Sequence, residues 1–307
     1  MIAWVEAARA ADPWEARFDA GAEIGASSFG VVDVAVKKGP WSAALYTDTL
    51  DLRYAPEGEH GRAWVGLRTS TFAAGLLILP WEDGAPVPEK ALGAGYTGPV
   101  GGGFRYLPHG LYAGASGSAH LWWFYAEAPP PTPVGTADAV LGWWKPWGNA
   151  ELQAGTDVDP SGWMPHARVT ARLQRPLGVS PLVELRAGAA SGQNALTFTR
   201  LGGLSPYVVP LAGAAIAEFR VEDYAAVRLG PTWASKSVRL AAFADAAIFD
   251  RDRALGFGAS VHVTRGRCFA DVAAGGSPGL LRQRGRAVGG WVNVGWQGPL
   301  GKPPPPA

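Results

Sequence analysis

The sequence is poor in charge and in cysteine, and it has no long apolar run. Only 17% of its 307 residues are charged and the formal net charge is +1, so nothing indicates a nucleic-acid-binding surface. The single cysteine, Cys268, excludes an internal disulfide and a cysteine-based zinc site. The chain contains no run of about 18 apolar residues, which excludes a transmembrane helix.

Glycine and tryptophan are abundant instead, at 42 and 14 residues. Low charge together with many Gly and Trp residues is typical of a chain that faces lipid on one side. Composition does not shift along the chain enough to mark a second domain. A single domain is therefore expected.

Alternation of side chains is the main structural signal. From Val238 to Ile248 one parity is apolar and the other carries Arg239, Phe243 and Asp245, as in a strand with two different faces. A soluble β-sandwich and a membrane barrel both produce this pattern. Glu15 to Ile24 alternates four charged residues with apolar ones, which fits a water-filled lumen better than a sandwich surface.

Strand-sized runs recur along the chain with Gly/Pro punctuation, which predicts an all-β fold. In a membrane such a chain must form a closed antiparallel barrel, because only closure satisfies every backbone group. The stretch from Glu15 to Gln297 has room for about twelve to sixteen strands. Leu121 to Tyr125 predicts an aromatic belt at a strand end.

Several connections are also predicted from local composition. Pro80 to Glu89 is expected to be an exposed loop, and Asp157 to Pro160 a solvated turn. Gly93 to Gly98 matches G-x-G-x-x-G, but no helix follows, so it is not a dinucleotide site. Ala215 to Leu229 fits either one long strand or a hairpin at Glu222-Asp223.

The order of motifs after Leu201 resembles the C-terminal barrel of the BamA/TamA superfamily. The chain reads Leu201-Gly202-Gly203, then a long loop to Gly213, then a strand with Phe243-Ala244-Asp245-Ala246, then three closing strands. The resemblance implies a transmembrane barrel in which sixteen strands are favoured over twelve to fourteen. It also implies an inward-folded loop, residues 201–214, whose arginine contacts an acid in a Phe-x-Asp strand motif.

Asp245 matches that acid and Phe243 precedes it, but only Gly213 of the loop motif is present and Ala212 replaces the arginine. We therefore expect a different contact to hold the loop, with Arg220 or Arg228 supplying the positive charge in place of the loop arginine. The candidates for this lock are Gly213, Phe243, Asp245, Arg220, Arg228 and Arg239. Other charged residues are predicted to line the lumen: Arg17, Asp19, Arg62, Arg168, Arg172, Glu184, Arg186, Glu218 and Asp271.

The sequence gives little support for catalysis. The five histidines are scattered, without i, i+4 pairs or acidic neighbours at ligand spacing, and no G-x-S-x-G motif occurs. We therefore expect neither an enzyme nor a metal or cofactor site.

The two ends of the chain are expected to lie outside the barrel, which spans 15–297. Residues 1–14 contain Ala8-Arg9-Ala10, which looks like a signal-peptide cleavage site, and the same stretch also fits a short helix from Ile2 to Ala10. Residues 298–307 are Pro-rich and expected to be disordered.

Three functions are considered for such a chain. The first is a BamA/TamA-type barrel of the bacterial outer membrane, acting in membrane protein insertion or polypeptide translocation. Its partners would be the lipid bilayer, client polypeptides and other outer-membrane proteins. Members with those activities carry periplasmic domains before the barrel, whereas strands here begin by Glu15. The second is a passive pore or structural barrel for small solutes, and the third is a soluble β-sandwich binding module. Oligomeric state stays open.

Overall fold

The computed structural model describes residues 14–24, 28–38, 41–49, 63–69, 72–82, 85–124, 132–193, 199–204, 209–214, 219–250, 252–277 and 288–299. Almost all of the described chain is β-strand. The strands are β1 Glu15–Ile24, β2 Ser28–Lys38, β3 Trp41–Thr49, β4 Ala63–Thr69, β5 Phe72–Glu82, β6 Ala85–Tyr106, β7 Leu111–Phe124, β8 Thr132–Lys145, β9 Gly148–Asp159, β10 Gly162–Leu173, β11 Gly178–Ala190, β12 Thr199–Leu201, β13 Phe219–Val221, β14 Tyr224–Ala234, β15 Val238–Phe249, β16 Asp252–Arg265, β17 Cys268–Gly276 and β18 Val288–Pro299. A short 3-10 helix, Pro108–Gly110, precedes β7. Among these residues, no helical segment is long and apolar enough to cross a membrane.

All strands except β12 and β13 belong to one antiparallel sheet. Each strand pairs with its neighbours in the chain, β11 pairs with β14, and β1 pairs with both β2 and β18, so that the order closes on itself as a barrel. Closure leaves no edge with unpaired backbone groups. The prediction of an all-β antiparallel barrel from alternating strands is confirmed.

The alternation seen in the sequence separates the two faces of the sheet. On β15, Leu240 and Ile248 point outward and are 42% and 67% exposed, whereas Asp245 points inward and is 2% exposed. Other strands of the barrel expose further large apolar side chains on the outer face: Phe18, Leu152, Val169, Leu185, Leu229, Phe257, Val261, Val272, Val292 and Val294. An apolar outer face around a polar interior is the inside-out pattern of a membrane barrel.

This outer face gives a testable prediction. We expect Val261→Arg, on the lipid-facing side of β16, to lower the free energy of folding into bilayers by about 2–4 kcal/mol, because the charge would lie in hydrocarbon. Ser260→Arg is the matched control, since the adjacent side chain has the opposite parity and points into the lumen. Urea unfolding in lipid vesicles, followed by tryptophan fluorescence, measures both. Equal losses for the two variants would contradict a lipid-facing outer surface.

The two ends of the barrel differ in the length of their connections. At the end that holds Glu15 and Pro299, successive strands are joined by no more than four residues. The opposite end holds the longer connections, including 50–62, 125–131, 191–223 and 277–287. Short turns at one end and long loops at the other are typical of outer-membrane barrels.

Tryptophans lie near both ends of the outer surface. Trp14, Trp147 and Trp233 are exposed near the short-turn end, and Trp163, 76% exposed, lies at the long-loop end. This arrangement is that of aromatic girdles at the two membrane interfaces. In the belt predicted at Leu121 to Tyr125, only the side chain of Leu121 is described, and it is exposed.

Two predicted connections are wrong. Pro80 to Glu89 is not an exposed loop but the junction of β5 and β6, which pair up to Glu82 and Ala85. The register shifts between Leu79 and Trp81, and a proline is tolerated at such an irregularity because a ladder bond is lost there anyway.

Asp157 and Asp159 are not in a solvated turn either; they end β9, and the turn is Pro160-Ser161. Asp157 is 5% exposed because its parity turns it toward the lumen, where it has polar partners.

The structure also corrects one boundary and answers one open question. The last strand, β18, extends to Pro299, two residues beyond the predicted barrel limit, because β1 continues to pair with it as far as Glu15. Residues 1–13 and 300–307 lie outside the described residues. In the described part of Ala215 to Leu229 the chain forms neither one long strand nor a hairpin at Glu222-Asp223: β13 ends at Val221 and pairs with β12, and β14 begins at Tyr224 and pairs with β11 and β15.

Candidate functional site: a loop anchored on the inner wall

The described parts of the connection between β11 and β14, within residues 191–223, lie against the inner wall of the barrel. Its two ends pair as the short ribbon β12 and β13. Beyond this ribbon, Leu201 bridges Val209, and Gly203 bridges Leu211. The Leu211 amide donates to the Gly203 carbonyl at 2.9 Å and the Gly203 amide to the Leu211 carbonyl at 3.2 Å. The described parts of the loop therefore have regular backbone structure of their own.

Apolar side chains of the loop pack against the inner faces of β14, β15 and β16. Leu201 and Leu211 are fully buried, and Phe219 packs against Phe249 with ring centroids 4.6 Å apart. The cluster consists of Leu201, Val209, Leu211, Ala214, Val221, Tyr224, Ala226, Ala247, Phe249 and Ala254. Burial of this surface stabilises the loop inside the lumen. In the region of the predicted inward-folded loop, 201–214, the described residues 201–204 and 209–214 are thus buried against the inner wall.

The tip of the loop, residues 209–214, is bound to the wall through Asp245. The backbone amide of Ala212 donates to Asp245 Oδ2 at 2.8 Å. A main-chain donor thus stands where the resemblance implied an arginine side chain. Because the contact uses the backbone, it requires the position of residue 212 but not a particular side chain.

The charge that balances Asp245 comes from the wall. Arg228, on β14, donates from Nε to Oδ1 at 2.7 Å and from Nη2 to Oδ2 at 2.8 Å. The Arg228 side chain is 15% exposed and that of Asp245 is 2% exposed. The guanidinium carbon also lies 3.9 Å from the ring centroid of Phe243. A two-point, largely desolvated arginine–carboxylate pair over an aromatic ring is a strong and directional contact.

Two glycines allow the tip to come this close. Gly213 has φ +86°, and a Cβ there would overlap the backbone nitrogen of Ser277. Gly256, on β16, faces the tip, and a Cβ there would overlap the Ala212 carbonyl oxygen. The loop tip therefore occupies the space that side chains would fill on this part of the wall.

A second acid holds the loop on the other side. Glu23, on β1, accepts a hydrogen bond from the Leu204 amide at 2.9 Å, and its side chain is buried. Sequence reasoning placed Glu23 on the charged face of β1 but did not connect it with the loop, since the contact spans 181 positions. Two buried carboxylates on different parts of the wall thus each accept a loop amide.

The pair Arg228–Asp245 continues a row of alternating charges across four strands. In register, Arg172 of β10 lies beside Glu184 of β11, Glu184 beside Arg228, and Arg228 beside Asp245. Adjacent strands are about 4.8 Å apart, so each charge in the row has opposite charges as neighbours. Arg186 also donates to Glu184, with Nη2 2.6 Å from Oε1. The loop tip lies at the end of this row.

Of the predicted lock residues, the structure brings Gly213, Phe243, Asp245 and Arg228 together. Arg239 lies on the same face of β15 but near its other end, opposite His262. Arg220 belongs to β13, and its side chain is not among those that the structure describes. Of the predicted lumen residues, Arg17, Asp19, Arg168, Arg172, Glu184, Arg186 and Asp271 have inward parity, whereas Arg62 and Glu218 lie outside the described residues.

A buried polar cluster, which the sequence did not predict, lies on the part of the wall that β8, β9 and β10 form. His166 Nε2 lies 2.7 Å from Asp138 Oδ1, and His166 Nδ1 lies 3.3 Å from Asp157 Oδ2. Thr136 donates to Asp157 at 2.6 Å. The three strands β8, β9 and β10 supply these residues, so neither spacing nor a motif in the sequence relates them. Within the described ranges, no group of three or more His, Cys, Asp or Glu is arranged to hold a metal ion.

Comparison with known proteins identifies the fold alone. No protein-family model matches the chain, and no curated protein matches its sequence significantly. Among solved structures the chain is similar to CdiB from Acinetobacter baumannii, with a TM-score of 0.61 and 8% identity, covering 94% of this chain and 61% of that one. The chain thus spans about three-fifths of the length of CdiB.

Weaker matches are a bacterial polysaccharide outer membrane secretin, with a TM-score of 0.47, 10% identity and 94% and 99% of the two chains covered, and OccK11 of Pseudomonas aeruginosa, with a TM-score of 0.42, 10% identity and 94% and 95% covered. The fold that the chain shares with CdiB supports the predicted location in the bacterial outer membrane. The chain has the fold of a bacterial outer-membrane β-barrel.

Proposed function

We propose that this chain is a sixteen-stranded outer-membrane barrel of the BamA/TamA type, in which loop 191–223 occludes the lumen and is released when a polypeptide is inserted or translocated. The observation that carries the proposal is the loop tip held on Asp245 and Arg228. Besides this lock, the described contacts of the loop with the wall include the hydrogen bond from the Leu204 amide to Glu23 and the apolar cluster. Such contacts can be broken without unpairing any strand of the barrel.

The similarity in fold to CdiB supports a barrel of this size and shape, and the motif order from Leu201 to Asp245 supports its type.

The second candidate is a passive pore for small solutes. The charged inner wall favours this alternative, because rings and rows of charge select solutes by sign. The two functions differ in whether the resting barrel conducts.

Conductance in planar bilayers tests the proposal. We expect low conductance from the intact protein and a large, steady conductance when residues 205–214 are replaced by a Gly-Ser linker, because the replacement removes the tip that Asp245 holds. The matched control replaces residues 278–287, a connection of the same length at the same end of the barrel, and should leave conductance low.

Steady large conductance of the intact protein would overturn the occluded barrel and support the passive pore. Low conductance from both the intact protein and the 205–214 variant would contradict both candidate functions.

A further inference from the structure

The charges of the described lumen wall are separated by sign. Strands β10, β11, β14 and β15 carry five inward arginines against two inward carboxylates, an excess of three positive charges. These residues are Arg168, Arg172, Arg186, Arg228, Arg239, Glu184 and Asp245. The other strands with described side chains carry inward acids with a single arginine among them: Asp19, Glu23, Asp138, Glu151, Asp157, Asp271 and Arg17. The four arginine-bearing strands form one contiguous basic sector.

Three arginines of the basic sector have no ion-pair partner among the described residues. Arg228 is paired with Asp245, and Arg186 with Glu184. In the described part of the chain, no ion pair joins Arg168, Arg172 or Arg239 to an acid. Arg172 donates only to the neutral Gln174, and Arg239 Nε is buried without a hydrogen-bond partner.

Guanidinium groups with free donors bind carboxylate and phosphate oxygens by charge-assisted hydrogen bonds. Low-dielectric walls concentrate the field of such a cluster within the lumen and attract anions to it. Glu184, the acid that lies beside Arg172 in register, is already paired with Arg186, and no acid lies beside Arg168 or Arg239. The three arginines therefore keep donors that no carboxylate takes up, on the inward face of their strands.

We propose that the basic sector is a binding site for anionic groups, carboxylate or phosphate, on what enters the lumen. This inference rests on the proposed function, since it names the substrate chemistry of the same channel. Arg172 and Arg239 contribute the donors, and the Arg228–Asp245 pair stays engaged with the loop.

Binding of tripolyphosphate to the purified full-length barrel in detergent tests the proposal without requiring conduction. We expect tripolyphosphate to raise the melting temperature of the native protein, and the dissociation constant to increase about tenfold or more for each of Arg172→Gln and Arg239→Gln, the loss of one charged hydrogen bond. Arg265→Gln is the matched control, because it removes the same charge from an exposed position at the end of β16. This control should bind tripolyphosphate as the native protein does.

The outcomes separate this inference from the proposed function. Binding weakened only by the two lumen substitutions supports the anion site, whatever the conductance. Failure to bind, or equal weakening by Arg265→Gln, overturns it. As a second measurement, the loop-replaced variant should show a reversal potential in a KCl gradient that favours chloride over potassium. This preference should decrease with Arg172→Gln and Arg239→Gln; a cation-selective pore would also overturn the anion site while leaving the barrel's conducting role intact.

Discussion

Asp245→Ala is expected to lower the free energy of unfolding by about 3–5 kcal/mol, because it leaves the Arg228 guanidinium largely desolvated and without a partner. It also removes the acceptor of the Ala212 amide. The loop tip should then detach, so that proteases cleave the loop while the strands remain protected. Heat or guanidinium unfolding in detergent gives the stability, and limited proteolysis with mass spectrometry gives the cleavage site.

Asp271→Ala is the matched control for this prediction. Asp271 is also an inward carboxylate paired with a base, His262, but the two side chains are 35% and 37% exposed. A partly exposed pair contributes less than about 1 kcal/mol, so the control should lose little and keep its loop protected. Asp245→Asn keeps an oxygen for the Ala212 amide and should fall between the native protein and Asp245→Ala. Unchanged stability and unchanged protease resistance in Asp245→Ala would show that Asp245 does not anchor the loop.

Gly213→Ala is the second substitution with a large expected effect. An L-residue at φ +86° costs about 1–2 kcal/mol in backbone strain. The added Cβ would also overlap the Ser277 nitrogen, which the wall cannot move without disturbing β17. We therefore expect the tip to leave the wall, with fast hydrogen exchange of the Ala212 amide and a loss of stability larger than the strain alone.

Gly178→Ala separates these two causes. Gly178, the first residue of β11, has φ +79°, but a Cβ there would meet nothing within 4 Å. Gly178→Ala should lower the stability only by the backbone strain, and hydrogen exchange of the amides of residues 209–214 should stay slow. If both alanine variants lose the same stability and neither changes that exchange, the close fit of the tip against Ser277 contributes nothing to docking.

The strands could be predicted because their signal is local. Glu15–Ile24 is found with the bounds expected from its alternation, since charged and apolar residues must face opposite sides of a strand. The exposed-loop prediction at Pro80 to Glu89 failed because proline and acidic residues were weighed by composition, whereas β5 and β6 accommodate them through a register shift.

The candidate site was predictable only in part. Phe243 and Asp245 could be located because a strand motif fixes their spacing and parity. The partner of Asp245 could be narrowed to Arg220 or Arg228, but only the register between β14 and β15 places Arg228 beside it. Contacts made by main-chain amides, such as those of Ala212 and Leu204, leave no trace in residue identity. The cluster of His166 with Asp138 and Asp157 depends on the pairing of three strands, which residue spacing does not encode.

The backbone contact at Ala212 also changes which positions are free to vary. A side-chain lock confines the loop to one residue type, whereas an amide donor can be supplied by any residue small enough to fit against Gly256. The selective constraint therefore moves from the loop to the wall, onto Gly256, Asp245 and Arg228. Related barrels of this kind would diverge freely in the loop, and a search for them should match the wall residues of three adjacent strands.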